Sequence, residues 1–132
     1  MKYRVKRTER GWAGHFICAD ACRFRRNTLL EYDNKKWIVS TVGRMVVTDI
    51  ETNKLKFNTI GAGNRYYETM AFVGKEIEKG YIDAVVSQPI DFESNWAIND
   101  IKDDSEQRAN DMHEKVVAEL MLKIQENNNE NS

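Results

Sequence analysis

Apolar and polar residues alternate through much of the first hundred positions, and the rhythm lengthens to three or four residues only after Asp104. The short period belongs to strands with two unlike faces, the long one to a helix. Lys2 to Arg7 sets Tyr3 and Val5 against Lys2, Arg4 and Lys6, and Thr8 to Gly11 reads as a turn. Trp12 to Cys18 reads as a second strand, with Trp12, Gly14, Phe16 and Cys18 on one face and Ala13, His15 and Ile17 on the other. Arg23 to Tyr32, a polar turn at Asp33 to Lys36, and the β-branched run Trp37 to Val42 predict a hairpin. Gly43-Arg44 reads as a break, Met45 to Thr48 as a short continuation, Asp49 to Lys54 as a loop and Phe57 as part of a weak edge strand. After a glycine turn at Ile60 to Asn64, Tyr66 to Val73 and Tyr81 to Ser87 predict a second hairpin, joined by the charged stretch Lys75 to Gly80 and closed by Pro89. In Phe92 to Ile98, Trp96 and Ile98 read as buried.

The helix is C-terminal. Asp104 followed by Gln107 fits a capping box, with Ser105 as the other candidate cap. Ala109, Met112, Val116, Val117, Leu120, Met121 and Ile124 fall on one half of the helical wheel, and Leu122 points away from it. Together these elements predict an α+β fold: a curved antiparallel sheet or open barrel of five to seven strands with one C-terminal helix packed on it. Residues 1–125 form one domain in this reading, and 126–132, ENNNENS, a disordered polar tail.

Size and composition agree. The chain has 132 residues, 41% of them hydrophobic, enough for a core that needs neither disulfide nor metal. No apolar run is long enough to span a membrane, and the basic N-terminus has no apolar segment behind it. The expectation is therefore a cytoplasmic protein with two free thiols. Charge changes the picture more. The net charge is −1, but residues 1–44 hold eleven of the twenty Lys and Arg and only four acids, so the first third is basic and the remainder acidic. Such a split predicts either mutual neutralisation in the fold or a basic face for an anionic partner. Arg23, Arg25, Arg26 and Arg44 are the candidate anion-binding residues, for nucleic acid or for an acidic protein surface.

His15, Cys18, Cys22 and His113 are all the histidines and cysteines of the chain. Zinc takes this ligand set, although H-x2-C-x3-C lacks paired close spacings, and regular strand geometry would turn His15 and Cys18 to opposite faces. His113 lies in the apolar arc of the helix, which predicts a core histidine hydrogen-bonded to backbone or carboxylate. A thiol-imidazole nucleophile needs the same residues within hydrogen-bond reach; otherwise the cysteines are inert core. Gly61-Ala62-Gly63 lacks the third glycine and the following helix of a dinucleotide site. The acid pairs Glu76 with Glu78 and Asp91 with Glu93 sit on loops without partner signals.

GWAGHFIC and Cys22, RFRRNTLL, VSTVGRM, NRYYETMAF, SNWAI and ANDMHEKVVAEL span most of the chain from Arg10 to Leu120. With these motifs the sequence resembles a small family of uncharacterised proteins of phages, prophages and other mobile elements. The resemblance implies a small accessory protein and supplies no catalytic residues. The expected function is a non-enzymatic binding module that meets an anionic partner through its basic N-terminal half. The rivals are a zinc-dependent or thiol enzyme and a homo-oligomeric interaction protein.

Overall fold

A computed structural model describes residues 4–11, 14, 15, 18–61 and 63–130, with side chains to residue 127. The architecture is the expected α+β one: an open, seven-stranded antiparallel sheet with a single C-terminal helix against it. The strands are β1 (Lys6–Glu9), β2 (Cys22–Tyr32), β3 (Lys35–Thr48), β4 (Leu55–Asn58), β5 (Tyr67–Glu78), β6 (Tyr81–Pro89) and β7 (Ala97–Ile98); the helix α1 is Ser105–Glu130. The main order is β1-β2-β3-β5-β6, with β4 beside the end of β3 and β7 beside the start of β5. No helix of the described residues is long and apolar enough to cross a membrane.

Turn chemistry fixes the two hairpins. Asp33 and Asn34 both take positive φ, 51° and 64°, so β2 and β3 are joined by a two-residue turn whose twist matches the strands. The second hairpin turns at Lys79-Gly80, not over Lys75 to Gly80: β5 runs on to Glu78, which pairs with Tyr81. Glu76, Ile77 and Glu78 are exposed, so no buried face marks them as strand in the sequence.

β3 is the organising strand, and the expected break at Gly43-Arg44 is a bend within it. Before the bend β3 pairs with β5, and after it with β4. Arg44 takes a φ of 56° there. A side chain at Gly43 would stand 2.3 Å from the Tyr67 ring, so the absence of Cβ is what lets β3 and β5 turn around that tyrosine.

The helix buries its expected stripe. Val116, Val117, Leu120 and Ile124 pack with Val5, Leu30, Val39 and Ala71; Ala109 and Met112 pack with Phe24, Tyr67 and Ile98. Burying each larger side chain contributes roughly 1.5–3 kcal/mol, which anchors α1 on the sheet. Leu122 is exposed. The N-terminal capping differs from the expected box. Ser105 Oγ accepts the Lys102 N–H at 2.6 Å, Gln107 reaches forward to Asp111, and the Asp104 carboxylate lies 3.3 Å from Arg108 Nε. Backbone helix continues through Glu126 to Glu130, within the segment read as a tail.

Two further expectations are corrected. Gly14, His15 and Cys18 are not in a strand; Trp12, Ala13, Phe16 and Ile17, the rest of that reading, lie outside the described residues, as does Met1 to Tyr3. The reason is tertiary. Gly14 lies so close to the sheet that a Cβ would meet Ala19 at 2.6 Å and Val42 at 2.8 Å, so Gly14 and His15 lie over the sheet face instead of joining its edge. Ile98 is buried as expected, but Trp96 is 42% exposed, because it stands outside β7 and turns from the core.

Candidate functional site

Successive residues of a strand point to opposite faces. Thr41 points under α1; Ser40 therefore points to the other face, where Gly14 and His15 cross. His15 Nδ1 lies 2.9 Å from Ser40 Oγ, and His15 Nε2 lies 3.1 Å from Glu68 Oε1. A carboxylate only accepts, so Nε2 carries a proton toward Glu68, and in the neutral ring Nδ1 accepts from the Ser40 hydroxyl. Glu68 Oε2 takes a second hydrogen bond from Arg65 at 2.7 Å. Burial alone would raise the Glu68 pKa, but the donors His15 and Arg65 outweigh it and hold the carboxyl below its ordinary range. The Arg65 guanidinium in turn lies over the Trp96 ring, 4.2 Å from its centroid. Arg10, at the end of the edge strand β1, bonds Asn27 Oδ1 at 2.8 Å and the Ile82 carbonyl on the opposite edge strand β6, so the sheet curls strongly around this polar cluster.

Ser40, His15 and Glu68 have the connectivity of a nucleophile, base and orienting acid. The surroundings do not suit that chemistry. Ser40 is 1% exposed and sits mid-strand, paired with Asn27 on β2 and Met70 on β5, so an electrophile has no approach among the described residues. The cluster works as a pin. It ties the crossing segment to β3 and β5 and fixes Arg65 and, through it, Trp96. Beyond Glu68 a cleft of about 280 Å³ opens between β5 and the segment after β6, lined by Arg65, Glu68, Met70, Asp91, Phe92 and Trp96 among others.

The candidate anion-binding residues divide. Arg26, on the α1 face, pairs with Glu9 at 3.1 Å and with Glu114 of the helix at 3.3 Å. Arg7 joins the same two acids. Arg44 pairs with Glu106 of the helix at 2.7 Å and lies over the Phe57 ring at 4.8 Å. Part of the charge asymmetry is thus neutralised where the basic sheet meets the acidic helix. Arg23 is exposed and Arg25 half-buried on the face opposite to Arg26. The pairs Cys22 with Met45 and Phe24 with Gly43 bracket Arg23 and Arg44, but Arg44, at positive φ, reaches Glu106 of α1 whereas Arg23 faces away from the helix.

The histidines and cysteines are not brought together. His15 bonds Ser40 and His113 bonds Thr41, neighbouring residues on opposite faces of β3. His113 is fully buried, with Nε2 2.7 Å from Thr28 Oγ1 and Nδ1 2.7 Å from Thr41 Oγ1; its partners are hydroxyls, not the expected backbone or carboxylate. Among the described residues no group of three or more His, Cys, Asp or Glu is arranged to hold a metal ion. Cys18 is exposed, whereas Cys22 is buried with Val42 and Ile60 and burial pushes its thiol up to about 11. A thiol reagent under native conditions should therefore modify Cys18 quickly and Cys22 only after denaturation. Equal rates for both thiols would contradict this packing.

Sequence reasoning found His15 but missed Ser40, Glu68, Arg65 and Trp96 as its neighbours. The register of β3 against β5, which sets Ser40 and Glu68 on one face, is not written in either strand's alternation. Missing too was the tertiary crossing that brings His15 over them. No family model, curated protein or solved structure matches this chain.

Proposed function

We propose that the protein is a non-enzymatic binding module, an accessory protein of a mobile element, that meets an anionic partner through the basic residues of β2 and the β3 bend. The observation that carries this reading is the exposure of Arg23 on β2, with Arg25 two residues along on the same face, away from the acids of α1. Arg44, paired with Glu106 and lying over Phe57, adds positive field near this face and not a free contact. Arg26, held by Glu9 and Glu114, lends longer-range field rather than direct contact. The partner is a polyanion: nucleic acid or an acidic protein surface.

The test is binding of the whole protein to single-stranded DNA, RNA, duplex DNA and polyglutamate at several salt concentrations. At least one should bind with an affinity that falls as salt rises, and the double variant Arg23→Gln/Arg25→Gln, shown by thermal melting to be folded, should bind it more weakly. Absence of salt-dependent binding to every one of them would overturn the reading.

A further inference from the structure

We infer that the cleft beside Trp96 is a site for a single nucleobase, which narrows the anionic partner to single-stranded nucleic acid. The inference rests on the polyanion reading and adds to it a second contact of different chemistry. Trp96 is a large aromatic residue left 42% exposed at the mouth of a cleft. It is also held still. Its carbonyl accepts the Thr69 N–H of β5 at 2.8 Å, fixing the backbone. Its ring carries the Arg65 guanidinium, Arg65 is held by Glu68, and Glu68 is held by His15. An exposed tryptophan fixed by three successive contacts is preorganised for stacking, because little side-chain freedom remains to be lost when a ring settles on it.

The chemistry of the cleft selects the ligand. A base stacked on Trp96 would extend the guanidinium–indole stack by one ring, the arrangement by which single-stranded nucleic acid is held without regard to sequence. Met70 and Phe92 add apolar wall for the ring. At about 280 Å³ the cleft lies just below the range of roughly 300–1,000 Å³ typical of small-molecule sites, which suits one base better than a whole cofactor. Asp91 on the cleft wall repels phosphate, so the strand's backbone runs outside it and the base alone enters. A paired base cannot reach such a site, and an acidic peptide offers no ring for it. Single strands are therefore preferred over duplex and over polyglutamate.

The experiment compares wild type, Trp96→Ala and Trp96→Phe by anisotropy of labelled single-stranded oligonucleotides, with duplex DNA and polyglutamate as competitors. Thermal melting confirms that each variant is folded. Wild type should prefer the single strand; Trp96→Ala should weaken it roughly five- to hundredfold, and Trp96→Phe, which keeps a stacking face, should recover most of the loss. Quenching of tryptophan fluorescence by free mononucleotides, lost in Trp96→Phe, would identify free nucleotide as a second source of the same base. Salt-dependent polyanion binding that Trp96→Ala leaves unchanged would overturn the base site and leave the polyanion reading intact. No binding to any polyanion would overturn both.

Discussion

Replacing His113 by alanine should destabilise the protein by about 3 kcal/mol or more, a large share of the roughly 5–15 kcal/mol that holds a domain together. The loss has two parts. The side chain fills a fully buried volume between α1 and the sheet, and its removal leaves the Thr28 and Thr41 hydroxyls without a partner they now have. The hydrogen bonds around it run in one direction. Thr28 donates to the Glu9 carboxylate at 3.0 Å, so its oxygen accepts from His113 Nε2–H. Nδ1 then accepts from Thr41, whose oxygen accepts from Thr69 at 2.6 Å. A second proton on the imidazole would face the Thr41 hydrogen and turn that chain back. Burial, then the nearby Arg26, accordingly push the His113 pKa down from 6.5 to about 4; Glu9 and Glu114 oppose this and Arg7 adds to it, less strongly.

The pH dependence follows in sign and window. Between about pH 6.5 and 4 the unfolded chain binds a proton at this position that the folded chain does not, so stability rises with pH. The contribution is complete above pH 6.5 and is lost as pH falls toward 4, a change on the order of 3 kcal/mol. Carboxylates such as Glu9 and Glu114, held below their ordinary 4.5 by arginines, add their own losses only at lower pH. Urea unfolding at pH 7 and pH 5 measures the effect. His113→Gln, which can still bond both threonines but does not titrate, should flatten the slope in that interval. An unchanged slope would show that His113 is not held neutral by its burial.

Gly43→Ala should be the most disruptive small change in the sheet, costing about 1–3 kcal/mol or more. The added Cβ would stand 2.3 Å and 2.7 Å from two atoms of the Tyr67 ring and 2.8 Å from the Tyr66 carbonyl oxygen. Neither neighbour can give way. The carbonyl accepts the Arg44 N–H at 3.0 Å, and the ring meets Phe24 edge-on at 5.6 Å within the cluster under the first turns of α1. Gly11→Ala is the contrasting case: a residue with φ of 74° and open space around it, where only the left-handed backbone cost of roughly 1–2 kcal/mol applies. Denaturation midpoints that rank Gly11→Ala as the more damaging would contradict the account of the β3 bend.

Local pattern was sufficient wherever one side of an element is buried. The β2–β3 hairpin, the α1 stripe and the core position of His113 were all legible because alternation or helical period separates wet from dry residues there. The end of β5 was not, since Lys75, Glu76, Ile77 and Glu78 are exposed and carry no period. His15 shows a different limit. Its sequence neighbours suggested a strand and a ligand set with Cys18 and Cys22, but its partners are Ser40 and Glu68, 25 and 53 residues away. Only the third dimension pairs residues at that separation, and the glycine that permits the crossing, Gly14, looks in sequence like any strand glycine. The charge asymmetry was legible as a sum. Which arginines meet helix acids depended on the face each occupies: Arg26 reaches Glu114 and Arg44 reaches Glu106, whereas Arg23 lies exposed on the other face.

The salt dependence of single-strand binding tests the central proposal most directly. Each phosphate contact contributes about −0.7 to the slope of log K against log salt for single strands. Removing the charges of Arg23 and Arg25 together should make that slope shallower by about 1.4. A slope identical in wild type and in Arg23→Gln/Arg25→Gln, or affinity indifferent to salt in both, would contradict an anion-binding role for this face.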